Sequence, residues 1–379
     1  MIKPCRRQFL KQSLALAGLP AVWRDGAATA QATRAPRAVV AIGRCRSYSD
    51  ADVRAALSSC FDLVGGIAPL VGGKTVTVKV NLTGHEFWPF MNRPVGETYM
   101  THFATVHQLA ALLFAAGARR VRIVESIGRP TPLEATLVEA GWDLTALGAL
   151  GTMAYENTRN KGSAAGYAHL AVTRGRMFSS FEVNRAYEDT DVMVSLAKLK
   201  QHETAGVTLT MKNMFGITPN SMYGGKAGDE SSVGGRGAIH DPRGYADLQL
   251  PGLKAEYNAF HAGVRVPDTI VDLAAARPVD LAIIDGITSI THAEGRYSAG
   301  PKMRFVSPGV LIAGRNAVAV DAIGTAVMGF DPRALRGTPP FAECDNHLLI
   351  AERAGLGTAD IRRIELRGLS LADATCPYA

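Results

Sequence analysis

The 379 residues are 47% hydrophobic and 20% charged with 39 glycines, a balance that excludes a wholly disordered chain and an all-helical one. No stretch of about 18 apolar residues occurs, which excludes a membrane-spanning helix in the mature chain. The formal charge is +7, but Lys3, Arg6, Arg7, Lys11 and Arg24 against Asp25 place +4 of it in the first 32 residues, and with no basic run elsewhere nucleic-acid binding loses its support.

In chain order, the first segment reads as a leader. Arg6-Arg7-Gln8-Phe9-Leu10-Lys11 precedes a mildly apolar stretch, Ser13 to Val22, and then small residues around Ala30 and Ala32. That is the plan of an export signal, and the arginine pair resembles the twin-arginine motif. The expectation is a signal peptide over residues 1–32, cleaved near Ala30 or Ala32, with the twin-arginine export machinery as partner and a periplasmic destination. Cys45, Cys60, Cys344 and Cys376 remain after cleavage without a C-x-x-C pair, which removes zinc ribbons, iron–sulfur cluster motifs and thioredoxin-like sites. Their pairing is left open, with buried free thiols the favoured reading.

The mature chain then alternates. Ala38 to Gly43 is a strand; Ser49-Asp50-Ala51-Asp52 opens a helix with its own cap and acids; Lys74 to Val80 is a strand. Apolar residues from Phe103 recur at helical spacing up to Gly117, and Arg120 to Glu125 is the next strand. Asp191 to Ala197 reads as a buried strand and Thr208 to Phe215 as a helix stopped by Gly216 and Pro219. Residues 221–262 are glycine-rich and unperiodic, which predicts a lid or an insertion. Leu281 to Gly286 and Gly309 to Gly314 are strands, Asn316 to Met328 a helix, and Ile364 to Leu366 a last strand. The fold class expected is α/β over residues 38–368, a mostly parallel central sheet with flanking helices and a long glycine-rich insertion.

Three segments carry the chemistry. Ser195-Leu196-Ala197-Lys198-Leu199-Lys200-Gln201-His202 is followed by Thr208-Leu209-Thr210-Met211-Lys212-Asn213-Met214-Phe215-Gly216; Ile284-Asp285-Gly286 precedes Glu294-Gly295; Val318-Ala319-Val320-Asp321 precedes Met328-Gly329-Phe330-Asp331-Pro332. With Lys79-Val80-Asn81-Leu82 they resemble the family catalogued as domain of unknown function 362, over about residues 75–368. Some members of that family carry a ferredoxin-like cluster domain; this chain lacks the cysteines for one.

Lys198, Lys200 and His202 alternate beyond a buried strand, so they project to one side, where open α/β sheets bind ligands. Two ammonium groups and an imidazole there make a receptor for a small anionic ligand, and a desolvated lysine can act as a base. Lys212, in an apolar stretch, must snorkel outward or find an acid among Asp285, Glu125 and Glu294. Catalytic roles are therefore assigned to Lys198, Lys200, His202 and Lys212, and substrate binding to Asn81, Asn213, Asp285, Glu294 and Asp321. Asp321, among alanine, valine and isoleucine, is either paired in the core or site-lining. His85-Glu86 could supply metal ligands, and His240-Asp241 could enter the site if the glycine-rich stretch closes. Neither Gly224-Gly225 nor Gly234-Gly235 makes a nucleotide-binding motif, and the cofactor is unknown. The expected function is an exported enzyme acting by proton transfer on a small anion, as an isomerase, epimerase or lyase. Alternatives are a non-catalytic anion-binding or maturation protein, and a redox protein loaded with its cofactor before export.

Overall fold

Among the described residues, eight strands form the main sheet: β1 (Ala38–Arg44), β2 (Thr75–Lys79), β3 (Arg120–Glu125), β4 (Met153–Asn157), β5 (Val192–Lys198), β6 (Leu281–Gly286), β7 (Val310–Gly314) and β8 (Ile364–Gly368). The computed structural model describes residues 37–379 apart from His85, Ala227, Val233, Gly234, Ala246 and Asp247. The expectations for the leader and for His85 lie outside the described residues. The strand order is β8-β1-β7-β6-β5-β2-β3-β4. Only β7 runs antiparallel to its neighbours, β1 and β6; all other pairings are parallel. The alternation of helix and strand thus yields the α/β sheet it predicts.

Every residue of β5 is buried. It lies in the middle of the sheet with both faces covered, which is why its sequence is a nearly continuous apolar run rather than an alternation. One face is covered by α1 (Asp50–Leu63) and α2 (Phe103–Ala115), whose Val53, Leu57, Leu109 and Leu113 join Val76, Val78, Val121 and Ile123 in one core. Ser49 Oγ accepts from the Asp52 amide at 3.2 Å to start α1, and Gly117, at φ +89°, takes the left-handed conformation that ends α2. The other face carries α3 (Leu209–Asn213), α4 (Gly237–His240), α5 (Ala262–Ala276) and α6 (Ala317–Val327), with Met211, Ile239, Val266, Ile270 and Ile323 packed on Ala282 and Ile284.

One expectation changes. The helix read over Thr208–Phe215 is shorter: α3 ends at Asn213 and tightens into a 3₁₀ turn at Met214–Ile217, as Gly216 and Pro219 stop it early. The glycine-rich stretch is anchored. Tyr223 and Ile239 are fully buried, and the Arg159 guanidinium donates to the carbonyls of Ser231 (3.2 Å) and Ser232 (2.5 Å). Cys45, Cys60, Cys344 and Cys376 are free thiols. No helix among the described residues is long and apolar enough to cross a membrane.

From β2 the chain moves outward to β3 and β4, then returns to β5 on the other side of β2 and continues to β6. The direction of winding reverses between β2 and β5, so the connections leaving their carboxyl ends diverge and open a crevice there.

Candidate active site

A cleft of about 370 Å³ occupies that crevice, lined by residues from the carboxyl ends of β2 and β3, from the segment after β5, and from α3 and the glycine-rich stretch. Its floor is an ion pair. Lys79 is the last residue of β2 and Glu125 the last of β3, and the parallel register sets Lys79 opposite Val124, one residue short of Glu125, within reach of its carboxylate. The Lys79 ammonium contacts the Glu125 carboxylate and donates to the Val80 carbonyl at 2.8 Å. Glu125 also accepts from the amides of Leu82 and Ser126, each at 2.7 Å. Asn213 ties α3 to this floor, donating to the Lys79 carbonyl (3.1 Å) and to Ser195 Oγ (3.0 Å). A Cβ on Gly216 would sit 3.2 Å from the Lys79 Nζ, so glycine lets the 3₁₀ turn lie over the pair.

One wall is His202, Glu294 and Tyr297. His202 Nδ1 accepts from the Thr204 amide at 3.2 Å, which leaves Nε2 as the protonated nitrogen, donating to Glu294 Oε2 at 2.8 Å. Tyr297 donates its hydroxyl to the same oxygen at 2.6 Å. Burial and the Lys212 charge push His202 down to about 4, so it is neutral at pH 7. Burial works to raise the Glu294 pKa, but His202, Lys212 and Tyr297 together hold it well below the usual carboxylate range.

Opposite stand Lys212, Arg236 and His240. The Lys212 ammonium rests 4.2 Å from the centre of the Phe215 ring and makes no hydrogen bond or ion pair with any described residue. Burial, reinforced by Arg236 and Lys79 and opposed by Glu294, pushes it down to about 8. Arg236 donates to the carbonyls of Thr218 (2.6 Å) and Gly216 (2.9 Å) and to Ser126 Oγ (2.5 Å), all through Nε and Nη2. It has no carboxylate partner among the described residues, and burial lowers it to about 10. His240 Nδ1 donates to the Arg236 carbonyl at 2.8 Å, which makes Nε2 the lone-pair nitrogen, and its ring meets Phe215 edge-on at 5.1 Å. Burial is the main reason its pKa falls to about 4. Polar atoms of the lining residues that have no partner among the described residues include Lys212 Nζ, Arg236 Nη1, His240 Nε2, Glu294 Oε1 and Asn81 Oδ1.

Of the residues assigned from sequence, Asn81, His202, Lys212, Asn213 and Glu294 line this cleft; Lys198, Lys200, Asp285 and Asp321 do not. The four cations do not converge, because Lys198 and Lys200 turn toward the α1–α2 face and are fully buried there. Lys198 donates to Tyr48 Oη (2.6 Å) and the Gly96 carbonyl (2.7 Å) and pairs with Asp285 at 3.4 Å, while Asp285 also accepts from Tyr48 (3.0 Å) and Thr105 (3.2 Å). That closed network leaves no group for a ligand. Lys200 sits behind the wall, donating to Thr83 Oγ1 (2.8 Å) and the Glu294 carbonyl (2.5 Å), and burial lowers it to about 7. Asp321, on α6, accepts from the Thr210 amide (2.8 Å) and hydroxyl (2.5 Å) and the Met211 amide (2.8 Å), so it holds the first turn of α3.

Sequence reasoning passed over Arg236 and Tyr297 and did not give Lys79 and Glu125 site roles. The last two had a signal, a charge closing an apolar strand, the same one that singled out Asp285. Arg236 had none, lying in unperiodic chain. A larger cavity of about 580 Å³ is lined in part by β4, and two of its three carboxylates are engaged: Glu156 by Ser163 (2.9 and 2.7 Å) and Glu230 by Tyr167 (2.5 Å). No three His, Cys, Asp or Glu side chains among the described residues stand where one metal ion would join them.

A family model described as a domain of unknown function (DUF362) matches residues 76–326. The chain belongs to this family. The match takes in the whole floor, both walls and Arg236. No curated protein matches the chain. Solved structures similar to this family member include a Thermotoga maritima protein, a structural-genomics target, at 11% identity and TM-score 0.38, covering 71% of this chain and 56% of that one. The lactate racemase apoprotein from Thermoanaerobacterium thermosaccharolyticum is another, at 14% identity and TM-score 0.38, covering 73% and 54%. The chain spans a little over half the length of each.

Proposed function

We propose that this family member is an exported enzyme that binds a small anion in the cleft and moves a proton on it, as an isomerase, epimerase or lyase does. The observation that carries the reading is the open Lys212 ammonium set against the open His240 Nε2, both packed on Phe215, with the Arg236 guanidinium beside them, held by Thr218, Gly216 and Ser126 and free of any carboxylate among the described residues. Arg236 Nη1 holds the anionic group. His240, neutral, accepts the proton, and Lys212, protonated at pH 7, returns one. His240 is a weak base in the empty cleft, partly because Lys212 and Arg236 depress it. An anion bound beside those cations offsets them and raises its basicity at the moment it is needed.

The test is a panel of small chiral carboxylates and phosphate esters incubated with the mature protein in D2O. At least one should raise the melting temperature and acquire deuterium at a carbon. Lys212→Met and His240→Asn should each abolish the labelling, with binding retained in His240→Asn and the fold retained in both. Binding without labelling by every panel member would leave an anion receptor and remove the catalysis; no binding at all would remove both.

A further inference from the structure

We infer that the cleft selects anions that carry a hydroxyl group next to their acidic group, with Glu294 Oε1 accepting from that hydroxyl. This rests on the anion-binding reading above and narrows it to hydroxylated carboxylates.

The two oxygens of one carboxylate, that of Glu294, have different surroundings. Glu294 is 8% exposed and lines the cleft. Its Oε2 is saturated by the His202 imidazole at 2.8 Å and the Tyr297 hydroxyl at 2.6 Å. Its Oε1 has no donor among the described residues, although an ionised carboxylate oxygen accepts up to two. A plain anion cannot fill that vacancy. It offers only acceptors, and it would set a second negative charge against the first. An occupant with a donor satisfies both requirements, its acidic group toward Lys212, which acts on both Arg236 and Glu294, and its donor toward Glu294.

The donor is a hydroxyl rather than an ammonium because of what surrounds it. Lys212 lies close enough to both Glu294 and Arg236 to act on each electrostatically, while Lys200 stands behind the wall, lowered to about 7. On the inner wall Lys212 and Arg236 face one open carboxylate among the described residues, Glu294, since Glu125 is paired with Lys79; Glu203 also lines the cleft but is exposed, where solvent screens its charge. A second positive charge on the ligand would face that excess at close range; a neutral hydroxyl does not. A second acceptor points the same way. Asn81, also 8% exposed and on the cleft wall, has its Oδ1 buried without a donor, while its amide nitrogen lies 3.4 Å from Thr83 Oγ1. A buried unpartnered acceptor costs stability unless a ligand or water supplies its donor. A cleft of about 370 Å³ is at the small end of ligand sites, sized for a compact hydroxy acid.

Calorimetry with a matched series tests this: butyrate, 2-hydroxybutyrate and 2-oxobutyrate, identical in length and charge. The wild-type protein should bind the hydroxy acid at least about tenfold more tightly than butyrate, the effect of one hydrogen bond to a charged acceptor. The oxo acid, whose carbonyl can only accept, should bind no better than butyrate. In Glu294→Gln the side-chain carbonyl must take the place of Oε2 to receive His202 and Tyr297, which turns the amide NH2 into the cleft. The order should then invert in favour of the oxo acid. Equal affinity for butyrate and the hydroxy acid in the wild type overturns the inference while leaving anion binding standing, as does an unchanged order in Glu294→Gln. No binding by any of the three, with Lys212→Met indistinguishable from wild type, overturns the anion reading itself. The wild-type ranking decides the matter even if the variant fails to fold.

Discussion

Four lysines sit at the carboxyl edge of this sheet, and what each amino group meets separates their roles. Lys79 has Glu125, Lys198 has Asp285, and Lys200 has a hydroxyl and a carbonyl. Lys212 has an aromatic face and open space. The pH dependence of the protein should carry its signature with two opposite signs. Its folded pKa, about 8, lies below the 10.5 of an ordinary lysine. Anion affinity needs the ammonium, so the dissociation constant should rise about tenfold per pH unit above 8. Stability should do the reverse. A depressed folded pKa means the unfolded chain binds the proton more tightly, so this group's contribution grows as pH rises from about 8 through 10.5 and is lost as pH falls back. Melting curves and titrations of wild type and Lys212→Met between pH 7 and 10 should diverge in that pattern; parallel curves would mean that Lys212 is already neutral or already paired.

At the scale of elements, the site depends on a five-residue helix that could not stand alone. A helix so short has too few internal bonds to offset its nucleation cost, and α3 is held from outside. Asp321 on α6 accepts from its second and third amides, those of Thr210 and Met211, and Asn213 fastens its last turn to β2 and β5. Burial raises the Asp321 pKa to about 7 in spite of those donors. Asp321→Ala leaves two buried amides and a hydroxyl without an acceptor and should cost about 2–3 kcal/mol in urea unfolding. It should also weaken anion binding, because Lys212 rides on the same turn. A variant that loses binding with unchanged stability would show that Asp321 acts on the ligand directly. The sequence flagged Asp321 as an acid that must find donors and left two destinations open. Which one holds depends on where α6 packs, a matter of contacts more than a hundred residues apart along the chain.

For the whole molecule, the prediction concerns the compartment in which it works. The leader reading predicts that Arg6→Lys and Arg7→Lys together hold an uncleaved precursor in the cytoplasm, detectable by fractionation and intact mass. Normal periplasmic accumulation of that double variant would remove the twin-arginine route. The interior is compatible with folding before export: Cys45, Cys60 and Cys344 are buried free thiols, so no oxidative step is built into the described fold. Burial raises all three thiols to about 12, which keeps them protonated and inert.

Much of the architecture was legible along the chain because it is written in local terms. Periodicity marked the strands and helices, Ser49 and Gly117 marked ends, and alternation of the two implied a mostly parallel sheet. Charges at the ends of apolar strands even pointed to the edge where the cleft opens. What local pattern cannot encode is partnership. Lys198 and Lys200 alternate with His202, yet two of the three are drawn into a face closed by Tyr48, Gly96 and Thr83, while the third meets Glu294. Lys79 and Glu125 stand 46 residues apart and touch only because β2 and β3 are adjacent and in register. Arg236 enters the site from chain with no periodicity, carried there by the anchoring of Tyr223 and Ile239 in the core. Secondary structure follows from neighbours in sequence; which ammonium is left open for a ligand follows from neighbours in space, because each charge drawn out of water must find its partner or, as with the half-buried Lys212, wait for one.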